Sequence, residues 1–392
     1  MSGSLAVVLG TGRMAGGFVA PMLREAGWRS LLIGRDRRVV EAVSARGGIW
    51  VRLGTNKARW TDHVAAATWD EPVLARAIGE AELIATAVGP AALKHVGRAL
   101  APHVAARLER GTRDVTILTF ENHRRAPELL ASGMLAACSS LAPALGSRIR
   151  IAGVAVWRAI ARRSLTDEGV LYEADDVDDA YVDGLALVRG RPPLDGSLPG
   201  LQPVVPFDDA MVEKLWLFSA GHAAAAWLGW HAGHETIDAA MRDPVILDVV
   251  TRVVAESALA LESQRAHRPV ACNRPMRTAS WILQRYADPA LGDPVSRVGR
   301  EPRRKLAADD RLVGPALACL AEGIRPDGLA RAIAAGLRYA EPGDLQAVDL
   351  QREIALLGAV EVLADVSGVA ACDELTRLVV AELGAAEHSV AV

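Results

Sequence analysis

Residues 5 to 17, LAVVLGTGRMAGG, limit the fold of this chain more than any other stretch. Leu5 to Leu9 form a short apolar run without polar alternation, as in a strand covered on both faces. The run passes directly into Gly10-Thr11-Gly12-Arg13-Met14-Ala15, a G-x-G-x-x-A turn that opens a helix ending near Gly27. Gly10 permits the tight turn, Gly12 lets the backbone approach a pyrophosphate, and Ala15 is small enough for the helix to pack on the strand. Arg13 and Met14 stand at the start of that helix, whose N–H groups suit phosphate oxygens. Strand, glycine turn and helix in this order predict an α/β, dinucleotide-binding, Rossmann-type beginning.

The next strand, Ser30 to Ile33, ends in Gly34-Arg35-Asp36-Arg37-Arg38. An NAD site usually places an acid at this strand tip for the ribose hydroxyls, and here Gly34 stands in that place. Arg35 and the arginine pair suit a 2′-phosphate, because guanidinium binds phosphate through two parallel bonds. NADP(H) is therefore favoured over NAD(H). The competing reading gives the ribose to Asp36 and treats the arginines as a solvated helix start. A helix from Asp70 to Gly79, a strand from Leu83 to Val88, a helix from Ala91 to Leu108 and a strand from Val115 to Thr119 continue the alternation. Such spacing specifies a parallel, doubly wound sheet, with ligands off the carboxyl ends of its strands. Thr86, Ala87 and Val88 fall at one such end, beside the cofactor, and Phe120-Glu121-Asn122-His123 at another. Taken alone, Asn122 reads as a turn residue.

From Arg148 to Val188 the pattern changes. Ile149 to Ile151, Ala155 to Trp157 and Ala186 to Val188 look like extra strands extending the sheet, interrupted by the acidic stretch Glu173 to Asp179. Gly190 to Pro206, rich in Pro and Gly, reads as a linker, which divides the chain into residues 1–203 and a mostly α-helical 204–392. Helical spacing runs through Asp208 to Met241, Pro244 to His267, Arg277 to Tyr286, Arg311 to Glu322, Pro326 to Arg338, Asp349 to Val366 and Asp373 to Leu383. A length of 392 residues fits two cores, and 51% hydrophobic residues supply them. A net charge of −3 gives no general attraction to nucleic acid or an anionic membrane. No leader or spanning run is apparent, and Cys138, Cys272, Cys319 and Cys372 lack metal-type or redox-type pairing, so a cytoplasmic protein is expected.

Glu213 to Met241 contains the chemistry-bearing residues of the helical half. Lys214 is one of only four lysines, the others being Lys57, Lys94 and Lys305. At α-helical spacing His222 falls roughly 80° from Lys214 and Ser219 roughly 140° from it, with His222 between them. A lysine, an imidazole and a hydroxyl on one side of an apolar helix are costly to bury unless something polar docks there. The plain alternative is a snorkelling lysine and a satisfied core histidine. His222, His231, His234 and Glu235 match no catalytic zinc spacing, so no metal is expected.

Five stretches in matching order resemble one family. They are GTGRMAGGF, TAVGP, the Glu121-Asn122 pair, KLWLFSAGHAAAAWLGWHAG and RVGREPRRKLAADDRLVGPA. Together they resemble the polyol-specific long-chain dehydrogenases, especially the mannitol-1-phosphate 5-dehydrogenase branch, over nearly the whole chain. The resemblance implies a Rossmann-type domain, a helical domain and a zinc-independent hydride-transfer site in the cleft between them. It makes Lys214 the general base and His222 the residue that orients the reacting oxygen. Asn122 matches one of two asparagines that stabilise alkoxide character, and Ser219 stands where the second would be. Trp157 replaces an acid that contacts polyol hydroxyls, which points to a changed substrate. Arg297, Arg300, Arg303, Arg304 and Lys305 form a basic run that reads either as a solvated face or as a set from which Arg300 and Lys305 reach the cleft to hold an anionic end of the substrate, a phosphate included.

The reaction expected is interconversion of a secondary alcohol and a ketone on a small polar substrate such as a polyol or sugar phosphate. An opine-type, imine-reducing dehydrogenase and a catalytically silent dinucleotide sensor are the alternatives. On the family's precedent the protein is a monomer or weak homodimer.

Overall fold

The computed structural model describes residues 3–111, 114–266 and 276–390, with the side chains of 386–390 left aside. It separates into two compact units, Met1–Met211 and Val212–Val392.

The first unit is built on strands β1 (Leu5–Leu9), β2 (Arg29–Gly34), β3 (Gly48–Leu53), β4 (Arg59–Asp62), β5 (Val64–Thr68) and β6 (Leu83–Thr86), followed by β7 (Val115–Thr119), β8 (Ile149–Val156), β9 (Ile160–Thr166), β10 (Gly169–Ala174), β11 (Ala180–Asp183) and β12 (Leu201–Val204). Eight strands form one sheet in the order β12-β11-β8-β7-β6-β1-β2-β5. From β5 to β8 every neighbouring pair is parallel; only β11 runs against β8. Chain order runs outward in both directions from β1, so the sheet reverses between β1 and β6. Ligands of open α/β sheets bind at this switch point. The two faces carry separate apolar clusters, one around Val8, Phe18 and Leu23 and the other around Val7, Leu9 and Leu100. That two-sided burial explains why β1 shows no polar alternation.

The region after residue 148 departs from the expectation in detail. Ile149–Ile151 and Ala155–Val156 belong to one continuous strand, with Trp157 just beyond it. Ala186 to Val188 are bend and irregular backbone rather than a strand, and β12 lies inside the stretch expected as a linker. β9 and β10 do not extend the main sheet; they pair with β3 and β4 as a second sheet in the order β4-β3-β10-β9. One face of this small sheet is wet, as the Arg52–Glu173 pair at 2.9 Å shows.

The second unit is helical. The stretch expected as one helix from Asp208 to Met241 is instead Phe207–Glu213, a π-helical segment Lys214–Ser219, an α-helix Ala220–His231 and a short helix Ile237–Met241. Ala220–His231 is apolar all round because it is central, packing against Pro244–Ala266, Val295–Gly299 and Asp327–Leu337. Gly336 permits this packing, since a Cβ there would lie 2.4 Å from the Trp227 ring. The helix expected from Asp349 to Val366 is two, Leu345–Leu357 and Ala359–Ser367, parted at Gly358 with φ of 89°. His267 and Cys272 lie outside the described residues; Cys138, Cys319 and Cys372 are free. Among the described residues no helix is long and apolar enough to cross a membrane.

Candidate active site

In the first unit, Gly10 follows β1 with φ of 128°, a conformation that glycine alone adopts without strain. A Cβ at Gly10 would lie 2.5 Å from the Ala87 carbonyl oxygen, whereas one at Gly12 would meet nothing closer than that oxygen at 3.8 Å. The turn is therefore tight at its first glycine and open at its second, as a backbone cradle for a pyrophosphate requires. A helical run begins at Arg13 and Met14, and Ala15 is buried against the sheet. Ala87 N–H donates to the Leu9 carbonyl at 2.8 Å, joining the ends of β1 and β6. These residues fit a dinucleotide, and Gly10, Gly12, Arg13, Met14, Ala15, Thr86, Ala87 and Val88 gather at the switch point.

Glu121, to which the sequence assigned no role, organises the neighbouring turn. Its buried carboxylate accepts from Thr86 Oγ1 at 2.7 Å and from Val88 N–H at 2.9 Å. Burial raises its pKa against the pull of those bonds. The signal available in sequence was an acid placed one residue past an apolar strand. Asn122, next in the chain, is half-buried. Trp157 is fully buried, its backbone N–H donating to the Asp179 carbonyl at 2.9 Å.

At the tip of β2, Gly34 is closed to any side chain, because a Cβ would lie 2.4 Å from Thr11 Oγ1. Arg35 is exposed. Asp36 caps the helix Arg37–Arg46, accepting from Val39 N–H at 3.5 Å, and its other oxygen meets Arg163 Nη2 at 2.9 Å.

In the second unit, the π-helical segment changes the geometry expected for Lys214 and Ser219. Pairing from residue i to i+5 brings residues five apart onto one side, where α-helical spacing would hold them far apart. Lys214 is 7% exposed, and burial, reinforced by the positive charges of Arg311 and Arg285, lowers its pKa to about 7. His222, about two turns further along, stacks on Tyr286 with ring centroids 5.3 Å apart and planes 8° apart. Its Nε2 lies 3.4 Å from Asp293 Oδ2, and Arg297 clasps the same carboxylate. Burial keeps His222 below the ordinary histidine value despite the acid beside it. Burial would raise Asp293, but Arg297 and His222 overcome it and hold the carboxylate well below its usual range.

The basic run does not form one solvated face. Arg303 pairs with Glu353 and Asp365, and Arg304 with Glu301 and Asp310. Lys305 is buried, donates to the Val298 carbonyl, and sits 5.9 Å from the Trp227 ring centroid. Burial, with Arg311 and Arg304 nearby, pushes its pKa well down. Arg300 remains exposed, with Nε donating to the Arg297 carbonyl at 3.2 Å. His231 Nε2 lies 3.0 Å from the Ala335 carbonyl and His234 3.6 Å from Asp243, so the histidines face different partners. Among the described residues, no group of three or more His, Cys, Asp or Glu is placed to hold a metal ion.

Residues 4–167 match the family model described as the mannitol dehydrogenase Rossmann domain, and residues 204–377 the mannitol dehydrogenase C-terminal domain. A mannitol-1-phosphate 5-dehydrogenase of Oceanobacillus iheyensis is 30% identical over 391 residues, covering 96% of this chain and 97% of that one. One from Brevibacillus brevis is 29% identical over 379 residues, covering 96% of each. Among solved structures, the Pseudomonas fluorescens mannitol 2-dehydrogenase ternary complex with NAD and D-mannitol has a TM-score of 0.81 at 14% identity, covering 97% of this chain and 91% of that one. A D-sorbitol dehydrogenase has a TM-score of 0.65 at 16% identity, covering 92% and 91%. With likeness running through both units and nearly end to end, the chain belongs to the mannitol dehydrogenase family.

Proposed function

We propose that this protein is an NAD(P)-dependent dehydrogenase that interconverts a secondary alcohol and a ketone on a polyol or polyol phosphate, with Lys214 as general acid and base. The observation that carries the reading is a lysine held out of water on an apolar helix with its pKa lowered to about 7. An amine poised near neutrality can both take and return a proton at working pH. The nicotinamide dinucleotide, held at the Gly10–Ala15 turn, supplies the hydride acceptor or donor.

In the oxidation direction Lys214 takes the hydroxyl proton, and in reduction its ammonium form returns a proton to the carbonyl oxygen. Asn122, Ser219 and His222 steady the reacting oxygen as charge develops on it. Ser219 reaches less far than an asparagine, which places more of that work on His222. A phosphorylated substrate is favoured because the curated relatives are named for mannitol 1-phosphate. Arg300, exposed within the basic run, is the proposed ligand for the phosphate, whereas Lys305 is buried and its amine is taken by the Val298 carbonyl. NADP(H) is the favoured cofactor, since Gly34 supplies no acid at the tip of β2 and Arg35 is exposed beside it.

The test is a panel of ketoses, ketose phosphates and their polyols, followed through NADPH and NADH absorbance. Lys214→Ala is expected to lower kcat by about a hundredfold or more while leaving the dissociation constant for the cofactor nearly unchanged. Undiminished turnover would remove Lys214 from the chemistry.

A further inference from the structure

The small sheet reaches the dinucleotide turn through two side chains that the sequence did not single out. Arg163 on β9 and Tyr172 on β10 stand directly opposite each other in the antiparallel ladder. Tyr172 Oη donates to the Thr11 carbonyl at 3.1 Å, and Arg163 Nη1 donates to the same oxygen at 3.1 Å. Arg163 Nη2 then bridges to Asp36 Oδ2 at 2.9 Å. Thr11 is the middle residue of the glycine turn, and Asp36 lies two residues past Gly34 at the tip of β2. In a fold of this type the ribose of the adenosine half lies between those two points.

Asp36 is therefore the one acid near the tip of β2 that could accept from a ribose 2′-hydroxyl, since Gly34 is closed to side chains by Thr11. Its carboxylate is already bonded to a guanidinium and to the helix N-terminus it caps. A guanidinium carries five N–H donors, more than the two bonds to Thr11 and Asp36 use. Arg163 is partly exposed, at 29% of its side chain, so a ligand can reach it.

We infer that Arg163 is a cofactor-selecting residue: it withholds Asp36 from the ribose hydroxyls, presents a guanidinium in its place, and so turns the adenosine end toward a 2′-phosphate. The inference rests on the dinucleotide site proposed above and gives its NADP(H) preference a second residue, distant in sequence from Arg35. Guanidinium suits this task because it binds carboxylate and phosphate through the same fork.

The experiment measures dissociation constants of the full chain for NADPH and NADH by fluorescence titration. Arg163→Ala is expected to weaken NADPH by about tenfold or more and to leave NADH unchanged or tighter, because Asp36 is released to the ribose. In an Asp36→Asn background the same substitution should no longer favour NADH. Equal loss for both cofactors, or no loss for either, would reduce Arg163 to a brace for the turn and overturn the inference. So would an NADH gain of the same size in the Asp36→Asn background. If Arg163→Ala yields no folded protein, Arg163→Gln, which can still donate to the Thr11 carbonyl, is read by the same criteria. A native protein that binds NADH more tightly than NADPH would refute the NADP(H) preference alone. The part played by Arg163 is judged separately, from the change in the ratio on substitution.

Discussion

As the proposed general base, Lys214 has to meet two requirements that pull against each other, since a base must be neutral to act and an amine in water is charged at pH 7. Burial resolves the conflict by disfavouring the ammonium form, and Arg311 and Arg285 add repulsion. The lowered pKa has a stability consequence of definite sign. The folded pKa of about 7 lies below the unfolded value of 10.5. Between them the unfolded chain binds more protons at this site, so stability rises with pH through that window and is least below it. Lys214→Met should therefore raise the melting temperature more at pH 6 than at pH 10, because only at the lower pH does the folded protein have to hold the ammonium form it disfavours. In native protein, kcat/KM for alcohol oxidation should climb to a plateau above about pH 7, with reduction falling over the same range; flat profiles would argue against lysine acid–base chemistry. His222 depends on Asp293 in a comparable way. The carboxylate raises the imidazole pKa against burial, so Asp293→Asn should lower it further, read from the histidine signals in an NMR titration. Arg297 would also lose its charged partner, at a stability cost of about 3 kcal/mol or more. An unmoved histidine titration would leave Asp293 a purely structural role. Lys214 and His222 could be found in the sequence because charged groups inside an apolar run are conspicuous. Asp293 and Arg163 could not, because each acts through a residue far away along the chain.

Two elements set the positions of these groups. The π-helical segment Lys214–Ser219 gathers residues five apart, so Ser219 approaches the lysine's side of the helix without any change of residue type. Hydrophobic spacing does not reveal such a segment, because its apolar residues suit an α-helix equally well. The small sheet fixes the dinucleotide turn from outside. Tyr172 covers Gly16 so closely that a Cβ there would lie 2.1 Å from the ring, and Ile160 covers Gly17 at 2.7 Å. The paired glycines after Ala15 thus admit the second sheet, a reason for their presence that the nucleotide fingerprint does not contain. Gly16→Ala should force the ring or the turn to shift, costing about 1–3 kcal/mol in stability and weakening cofactor binding, measured by melting and by titration. Tyr172→Phe keeps the packing and loses one hydrogen bond, about 1 kcal/mol. A Gly16→Ala protein with native affinity would mean that the turn is held by other contacts.

Across the whole molecule, the cofactor contacts proposed here come from four separate stretches of the first unit. Adding NADPH should increase amide protection in hydrogen exchange at residues 10–15, 34–38, 86–89 and 160–172. Protection confined to other segments would place the dinucleotide elsewhere. The sequence by itself determined the Rossmann-type beginning, the helical second half, the family and the lysine on its apolar helix. Those features are local: a glycine turn following a strand, or a charge inside an apolar run, is written in neighbouring residues. Tertiary structure alone decided that β9 and β10 leave the main sheet, that Thr11 closes Gly34, that Arg163 takes Asp36, and that Asp293 and Arg297 hold His222. Each of those depends on a backbone or a charge brought near by folding from tens to more than a hundred residues away, and no periodicity in a single chain records such an approach.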